Sequence, residues 1–144
     1  MQNKRYLAGC ILILALFASA ESRLEELKHR AERENEQKRG PVYVDISREY
    51  VEMADHEFNS GDSDHAQSDL KEAVSYAEKA VVSALLRGKN IKETEIKLRK
   101  VANRVEEVRR SVAVEQQPLT EQAHKRLEDL RTQLLNRMFG KDKS

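Results

Sequence analysis

Cysteine is nearly absent from this chain of 144 residues, in which Cys10 is the only one. A single cysteine near the N-terminus excludes a disulfide framework and a metal site built on several thiolates. Aromatic residues are also scarce, at 5% with no tryptophan, so the basic residues are not interleaved with the aromatic side chains typical of nucleic-acid binding. The formal net charge of +1 adds no argument for a nucleic-acid partner.

Proline is limited to Pro41 and Pro118, which leaves long stretches of chain in which no proline interrupts a helix. Charged residues make up 35% of the chain, and Glu, Lys, Arg, Ala and Leu are abundant. These residue types favour long helices, and no pair of candidate strands is evident. The composition therefore predicts an all-α protein.

The N-terminal segment has the three parts of a secretory signal peptide in the expected order. A basic pair at residues 4–5 precedes an apolar run over residues 6–17, and an A-x-A cleavage motif follows at Ala18 and Ala20. We predict cleavage between that motif and Glu21. The mature chain is then expected to be exported and to be periplasmic or secreted.

The same segment allows two alternatives. The letters LAGC at residues 7–10 resemble the lipobox of a bacterial lipoprotein, but the lipid-bearing cysteine of that motif follows the apolar core, whereas Cys10 precedes most of it. An uncleaved membrane anchor needs roughly 20 apolar residues, which is more than residues 6–17 supply. We therefore favour cleavage, which leaves a mature chain with no cysteine, no lipid and no membrane span.

Residues 21–39 are dense in charges of both signs and carry only a thin apolar stripe that includes Leu24 and Ala31. This pattern is typical of a solvated helix or of a disordered arm, and the sequence does not separate the two. The Gly-Pro pair at residues 40–41 is expected to end this arm. Residues 42–44, with the sequence VYV, then predict an extended linker.

Four later segments repeat apolar residues at steps of three and four, which is the period of one helix face. The short turns between them imply that successive helices are antiparallel neighbours. The sequence therefore predicts an antiparallel bundle of about four helices in a single domain. The predicted organisation is a signal peptide at residues 1–20, an arm and linker at 21–44, a bundle at 45–139 and a tail at 140–144.

Helix ends in the predicted bundle are marked by glycine and by short polar residues. Asp45 or Ser47 is expected to cap the first helix, because their side chains accept hydrogen bonds from free backbone N–H groups. Gly61 is expected to form the following turn, and Ser63 or Asp64 to cap the next helix. The clearest apolar seam belongs to the third predicted helix of the bundle, at Leu98, Val101, Val105, Val108 and Val112.

Charge is segregated along the chain, although the total is close to zero. Residues 45–72 are mostly acidic, and residues 87–110 are mostly basic. We predict either that the two segments face each other within the fold, where each exposed pair contributes about 0–1 kcal/mol, or that they only give two solvated faces opposite charge. The alternative is a basic surface at Lys97, Lys100 and Arg104 that meets an acidic partner or a second copy.

The best candidate metal ligands lie around the predicted turn, at His56, Asp62, Asp64 and His65. Imidazoles and carboxylates suit zinc or harder cations, but the spacing does not follow an EF-hand loop. No Gly-x-Ser-x-Gly elbow and no phosphate-binding loop are present in the sequence. We therefore expect no enzyme activity and no cofactor.

A helical hairpin in the sequence resembles one unit of the tetratricopeptide family. The resemblance rests on large residues, a Gly-Asp turn and an Ala-x-x-x-Leu-x-x-Ala pattern, at Tyr50, Met53, Ala54, Gly61, Ala66, Leu70 and Ala73. It covers about a quarter of the chain, and no second unit follows. That family stacks helix hairpins and binds proteins in a groove, which implies a hairpin here and an interaction role.

The segment PLTEQ at residues 118–122 is similar to the L-T-x-x-Q motif of periplasmic chaperones of the Spy type. Leu119 and Thr120 fit the motif, while Ala123 stands at its final glutamine. This resemblance implies an alternative function, the binding of unfolded chains.

Taken together, the sequence predicts an exported helical protein-interaction or structural protein of the bacterial cell envelope. The expected partner is another protein or a second copy of the chain. The alternatives are a chaperone-like binder of unfolded proteins and a metal-binding helical protein.

Overall fold

The computed structural model describes the backbone of residues 3–140 and the side chains of residues 18–140. Within this part the chain is helical and has no strand, which confirms the all-α prediction. The tail beyond residue 140 and the side chain of Cys10 lie outside the described residues. The described residues contain five α-helices, where the sequence predicted an arm and a bundle of about four: α1 (Asn3–Arg33), α2 (Arg39–Ser60), α3 (Ser63–Arg87), α4 (Ile91–Ser111) and α5 (Gln117–Phe139).

Helices α2 to α5 form a four-cornered bundle made of two antiparallel hairpins. Helix α2 pairs with α3, and α4 pairs with α5. The two hairpins lie side by side. Helix α2 runs parallel to its neighbour α4, and α3 runs parallel to its neighbour α5. The interior is filled by aliphatic side chains, the largest fully buried ones being Ile46, Leu98, Leu127 and Leu134.

The apolar seam predicted on α4 is buried in this bundle. Leu98, Val105 and Val108 are fully inaccessible, and Val101 is 1% exposed. Val112 lies just beyond the last helical residue and is partly buried. The spacing of three and four residues therefore identified the core face of α4 correctly.

Helix α2 begins earlier than the sequence predicted. It starts at Arg39, so the expected linker at residues 42–44 and the expected caps at Asp45 or Ser47 are wrong. Pro41 lies in the first turn, where its missing N–H group leaves no helical hydrogen bond unmade. The Gly-Pro pair, which was expected to end the N-terminal arm, instead lies in the first turn of α2, and both of its residues are buried.

Gly40 explains how the start of α2 fits against two other helices. A Cβ atom at this position would lie 3.1 Å from Thr94 Oγ1 on α4 and 3.3 Å from the carbonyl oxygen of Ala80 on α3. The absence of a side chain therefore allows the three helices to converge closely at this end of the bundle.

The turn between α2 and α3 has the predicted glycine but a different cap. Gly61 has a φ angle of +84°, in the left-handed region that glycine adopts without strain. Asp62, rather than Ser63 or Asp64, caps α3, because its carboxylate accepts a hydrogen bond from the backbone N–H of His65 at 3.3 Å. The turn was predicted correctly, and the capping residue was displaced by one position.

Helix α1 packs against the outside of α2. Leu24 and Ala31 are buried in the same core as the bundle residues. Arg23 pairs with Glu49 at 3.1 Å, and the Lys28 ammonium lies 5.4 Å from the centre of the Tyr50 ring. Of the two alternatives for residues 21–39, the structure therefore shows an ordered helix through Arg33 rather than a disordered arm.

No helix in the described part of the chain has an apolar stretch of sufficient length to span a membrane.

Candidate functional site

A groove lies between α3 and α5 on the described surface. It has a volume of about 530 Å³ and is lined by residues from the N-terminal halves of both helices. We call it the α3–α5 groove. Its apolar floor consists of Leu70 and Val74 from α3 and Leu119 and Ala123 from α5.

The groove forms because α3 packs more closely against α2 than against α5. The buried face of α3 that meets α2 is rich in alanine, and small side chains allow two helix axes to approach closely. Leu70 is nearly inaccessible, whereas Val74 and Leu119 are only partly buried. Val74 and Leu119 therefore present apolar surface on the floor that no other part of residues 18–140 covers. The alanines belong to one side of the helix, at Ala66, Ala73, Ala77, Ala80 and Ala84.

Charged side chains line the rim of the groove. Arg126 and Glu78 form an ion pair across it, with a distance of 2.8 Å between Nη2 and Oε1. Lys71 on α3 and Lys125 on α5 also line it, and neither forms an ion pair with any residue in 18–140. Asp129 is likewise unpaired in that part of the chain. The lining thus carries three cations, Lys71, Lys125 and Arg126, and two anions, Glu78 and Asp129, with Asp129 one turn after Lys125 on the same wall.

Two of the three basic residues singled out on α4, Lys97 and Arg104, face α2. Lys97 Nζ lies 2.8 Å from Asp45 Oδ2. Arg104 Nη2 lies 3.0 Å from Glu52 Oε2 and 2.6 Å from Asp55 Oδ2, and the hydrogen bond to Glu52 is the main cause of the raised pKa of Arg104. For Lys97 and Arg104 these contacts agree with the first form of the prediction, in which the acidic and basic segments face each other. Of the three residues proposed to meet a partner, only Lys100 is exposed and makes no ion pair within residues 18–140.

The four candidate metal ligands do not gather into one site. Asp62 caps α3, and its second oxygen lies 2.6 Å from His65 Nδ1. This bond lowers the pKa of Asp62 and raises the pKa of His65. Asp64 and His56 are exposed. Within residues 18–140 the structure brings together no group of three or more His, Cys, Asp or Glu side chains that suits a metal ion.

A pair of carboxyl groups beside the α2–α3 turn was missed by the sequence analysis. Glu57 Oε2 and Asp69 Oδ2 are buried and have no hydrogen-bond donor within the described side chains. Burial, reinforced by the negative charge of Asp69, raises the pKa of Glu57 to about 7, and burial also raises the pKa of Asp69. The arrangement therefore favours one proton held between the two carboxyl groups. The sequence offered no signal, because each residue alone resembles a solvated acid on a helix.

Because of the Glu57–Asp69 pair, we expect the free energy of unfolding to depend on pH. The pKa of Glu57 is raised from 4.5 to about 7 on folding, so the folded state binds this proton more tightly than the unfolded state does. The resulting contribution to the free energy of unfolding is fully present below pH 4.5 and is lost as the pH rises through about 7. We expect a loss of about 1 kcal/mol in the free energy of unfolding over that range, a value reduced for the solvent-exposed part of the side chain. Urea unfolding at several pH values measures it. The Glu57→Gln variant should lack this part of the pH dependence, and an equally steep curve for the variant would contradict the assignment.

Comparison with known proteins leaves the function to be argued from geometry. No family model, no curated protein and no solved structure matches the chain. The tetratricopeptide resemblance therefore stays a prediction, carried by the α2–α3 hairpin and its Gly61 turn. Thr120 of the PLTEQ segment is buried and donates its hydroxyl hydrogen to the Gln117 carbonyl at 2.9 Å, within the first turn of α5.

Proposed function

We propose that this chain is an exported helical protein-interaction module of the bacterial cell envelope, and that it binds its partner in the α3–α5 groove. One observation carries the proposal: an apolar floor, open at Val74 and Leu119, lies between two helices and is flanked by Lys71 and Lys125, which form no ion pair within residues 18–140. Apolar grooves with polar rims are the usual docking sites for protein segments.

The other faces of the bundle are less suited to docking. The α2–α4 face is crossed by the ion pairs of Lys97 and Arg104. The α4–α5 face is joined by Arg131, which pairs with Glu95 and Glu128 at 2.9 and 2.7 Å. The outer side of α2 is covered by α1. Among these faces of residues 18–140, the α3–α5 face combines a concave shape with open apolar surface.

The position of the predicted cleavage site supports export of a folded module. Ala18 and Ala20 precede Leu24, the first buried residue of α1 among the described side chains. Cleavage before Glu21 would therefore keep Leu24 and Ala31, which attach α1 to the bundle. We expect the intact mass of the protein recovered from the envelope or the medium to correspond to a chain that starts at Glu21. A mass that includes residues 1–20 would contradict export by cleavage.

Site-specific photocrosslinking tests the binding surface. A photoreactive amino acid at Gln122 lies in the groove, and the same amino acid at the exposed Lys100 lies on α4. We expect a discrete crosslinked adduct from Gln122 in producing cells and none from Lys100. An adduct from Lys100 alone would instead favour the basic surface of α4, and no adduct at either position would remove the proposal.

A chaperone-like role is the second candidate, because more apolar surface is exposed on α3. Val82 is 55% exposed and Leu86 is 79% exposed, on the same helix that forms one wall of the groove. Such surface suits weak binding of unfolded chains. The test is light scattering of a heat-denatured client protein. No suppression of aggregation at an equimolar amount of this chain would exclude the chaperone role.

A further inference from the structure

The shape and charge of the α3–α5 groove specify what kind of segment it takes. We infer that the groove binds one amphipathic α-helix of a partner protein, in which acidic residues flank the apolar stripe on both sides. The inference rests on the proposed function, since it identifies the partner of the same groove.

The walls of the groove favour a helix over an extended peptide. Both walls are α-helices, whose backbone N–H and C=O groups are already hydrogen-bonded within the helix. An extended segment laid between them would find no backbone partners and would have unpaired polar groups where it is buried. A helical segment satisfies its own backbone hydrogen bonds and needs only side-chain contacts from the groove.

The length of the groove fits about three helical turns. Its lining runs from Gln67 to Glu78 on α3 and from Leu119 to Asp129 on α5, which corresponds to about 15 Å at 1.5 Å per residue. Over this distance a bound helix presents apolar residues at positions i, i+3, i+4 and i+7. Those side chains would contact the apolar floor at Val74 and Leu119, the two floor residues that are only partly buried.

The charges on the rim favour acidic flanks on the bound helix. Lys71 and Lys125 lie on opposite walls and have no anionic partner in residues 18–140. Acidic side chains on either side of an apolar stripe would reach both ammonium groups. Asp129 lies one turn beyond Lys125 and would repel acids there, while the Arg126–Glu78 ion pair is already neutral. Acidic flanks are therefore favoured near the apolar floor and not beyond that ion pair.

A second copy of the chain is a poorer match for this groove. Its two most exposed leucine and phenylalanine side chains are accompanied by arginines, because Arg87 follows Leu86 and Arg137 precedes Phe139 by two positions. Val82 lies one turn from both Glu78 and Lys79, and Val114 belongs to a helix of three residues, too short to fill the groove. The two arginines would meet Lys71 and Lys125. A different protein is therefore the better source of the acidic helix.

Fluorescence anisotropy with two matched peptides tests the inference. Both are labelled amphipathic peptides of roughly 15 residues with the same leucine stripe. One has Glu at the flanking positions and the other has Lys. With the chain from Glu21 to Ser144, we expect the Glu peptide to bind at least about tenfold more tightly and to gain helical circular dichroism on binding. Equal affinity for the two peptides, or a preference for the Lys peptide, would overturn the acidic helix.

Three variants connect the binding to the groove. Val74→Glu places a charge on the floor and should weaken the Glu peptide at least about tenfold. Val82→Glu makes the same change on the same helix outside the groove lining and should have little effect. The double variant Lys71→Glu/Lys125→Glu should bind the Lys peptide more tightly than the Glu peptide. Loss of folding cannot produce such a gain in affinity for the Lys peptide. The assignment to the groove would be overturned if Val74→Glu left the affinity for the Glu peptide unchanged. It would also be overturned if Val82→Glu weakened that affinity as much as Val74→Glu does.

Other occupants give distinct results. If phosphatidylglycerol vesicles displaced the bound peptide, and if Val74→Glu abolished vesicle binding, the inference would be overturned in favour of a lipid surface. A dimer in sedimentation that Val74→Glu dissociates would overturn it in favour of a second copy. A crosslink at Gln122 without preference for the Glu peptide would overturn the acidic helix and retain the proposed function. No crosslink at Gln122 would overturn the proposed function itself.

Discussion

Replacing Val105 by Asp is expected to lower the free energy of unfolding by several kcal/mol, about 4. Val105 is fully inaccessible in the seam of α4, between Val101 and Val108. A carboxylate at this position is transferred from water into an apolar core. It must either become protonated or open the bundle locally, and both responses cost free energy. Thermal melting followed by circular dichroism measures the loss.

A matched variant separates burial from charge. Asn103→Asp adds the same negative charge two residues earlier on α4, at an exposed position. Its melting temperature should stay close to that of the parent, because an exposed substitution changes stability by about 0.5 kcal/mol or less. If Val105→Asp melts like Asn103→Asp, the seam of α4 does not form the core.

Replacing Arg131 by Met is expected to cost about 3–5 kcal/mol, the second large effect. Arg131 on α5 contacts Glu95 on α4 through Nε and Nη2, at 3.2 and 2.9 Å. Glu95 is only 5% exposed, so removal of the guanidinium leaves a buried carboxylate without its cation. Urea unfolding at pH 7 measures the change.

The control is an arginine on the same helix whose ion pair is exposed. Arg126→Met removes the Glu78 pair, in which both side chains are over 40% exposed, and should cost about 0–1 kcal/mol. The double variant Glu95→Leu/Arg131→Met should recover most of the lost stability, because an apolar pair can replace a buried ion pair without penalty. If Arg131→Met and Arg126→Met cost the same, the buried position of Glu95 has no energetic consequence.

Local periodicity explains what could be predicted of the fold. The spacing of Leu98, Val101, Val105 and Val108 identified a buried helix face, since a repeat of three and four residues has one structural meaning. The Gly-Pro pair at residues 40–41 was ambiguous, because the same dipeptide is compatible with a break or with a helix start. The tertiary contacts of Gly40 with α3 and α4 decided between them, and these contacts are not visible in local sequence.

The site was less predictable for the same reason. Charge segregation suggested that the acidic and basic segments could meet, as Asp45 and Lys97 do, but it did not exclude two solvated faces or an acidic partner. The α3–α5 groove depends on how tightly two helices approach, and its crossing pair joins residues 48 positions apart. The Glu57–Asp69 pair likewise arises only after α2 and α3 dock, so neither acid is distinguished from a solvated one beforehand.

The side-by-side arrangement of the two hairpins has a kinetic consequence. Contacts within α2–α3 and within α4–α5 close short loops, whereas Lys97 and Arg104 meet α2 across about 50 residues of chain. Loop closure of that size costs more entropy and is expected later in folding, after each hairpin has formed. Assembly of this molecule therefore divides into two fast local steps and one slower docking step. The groove appears only in that docking step, so a partner helix has no binding site on either hairpin alone.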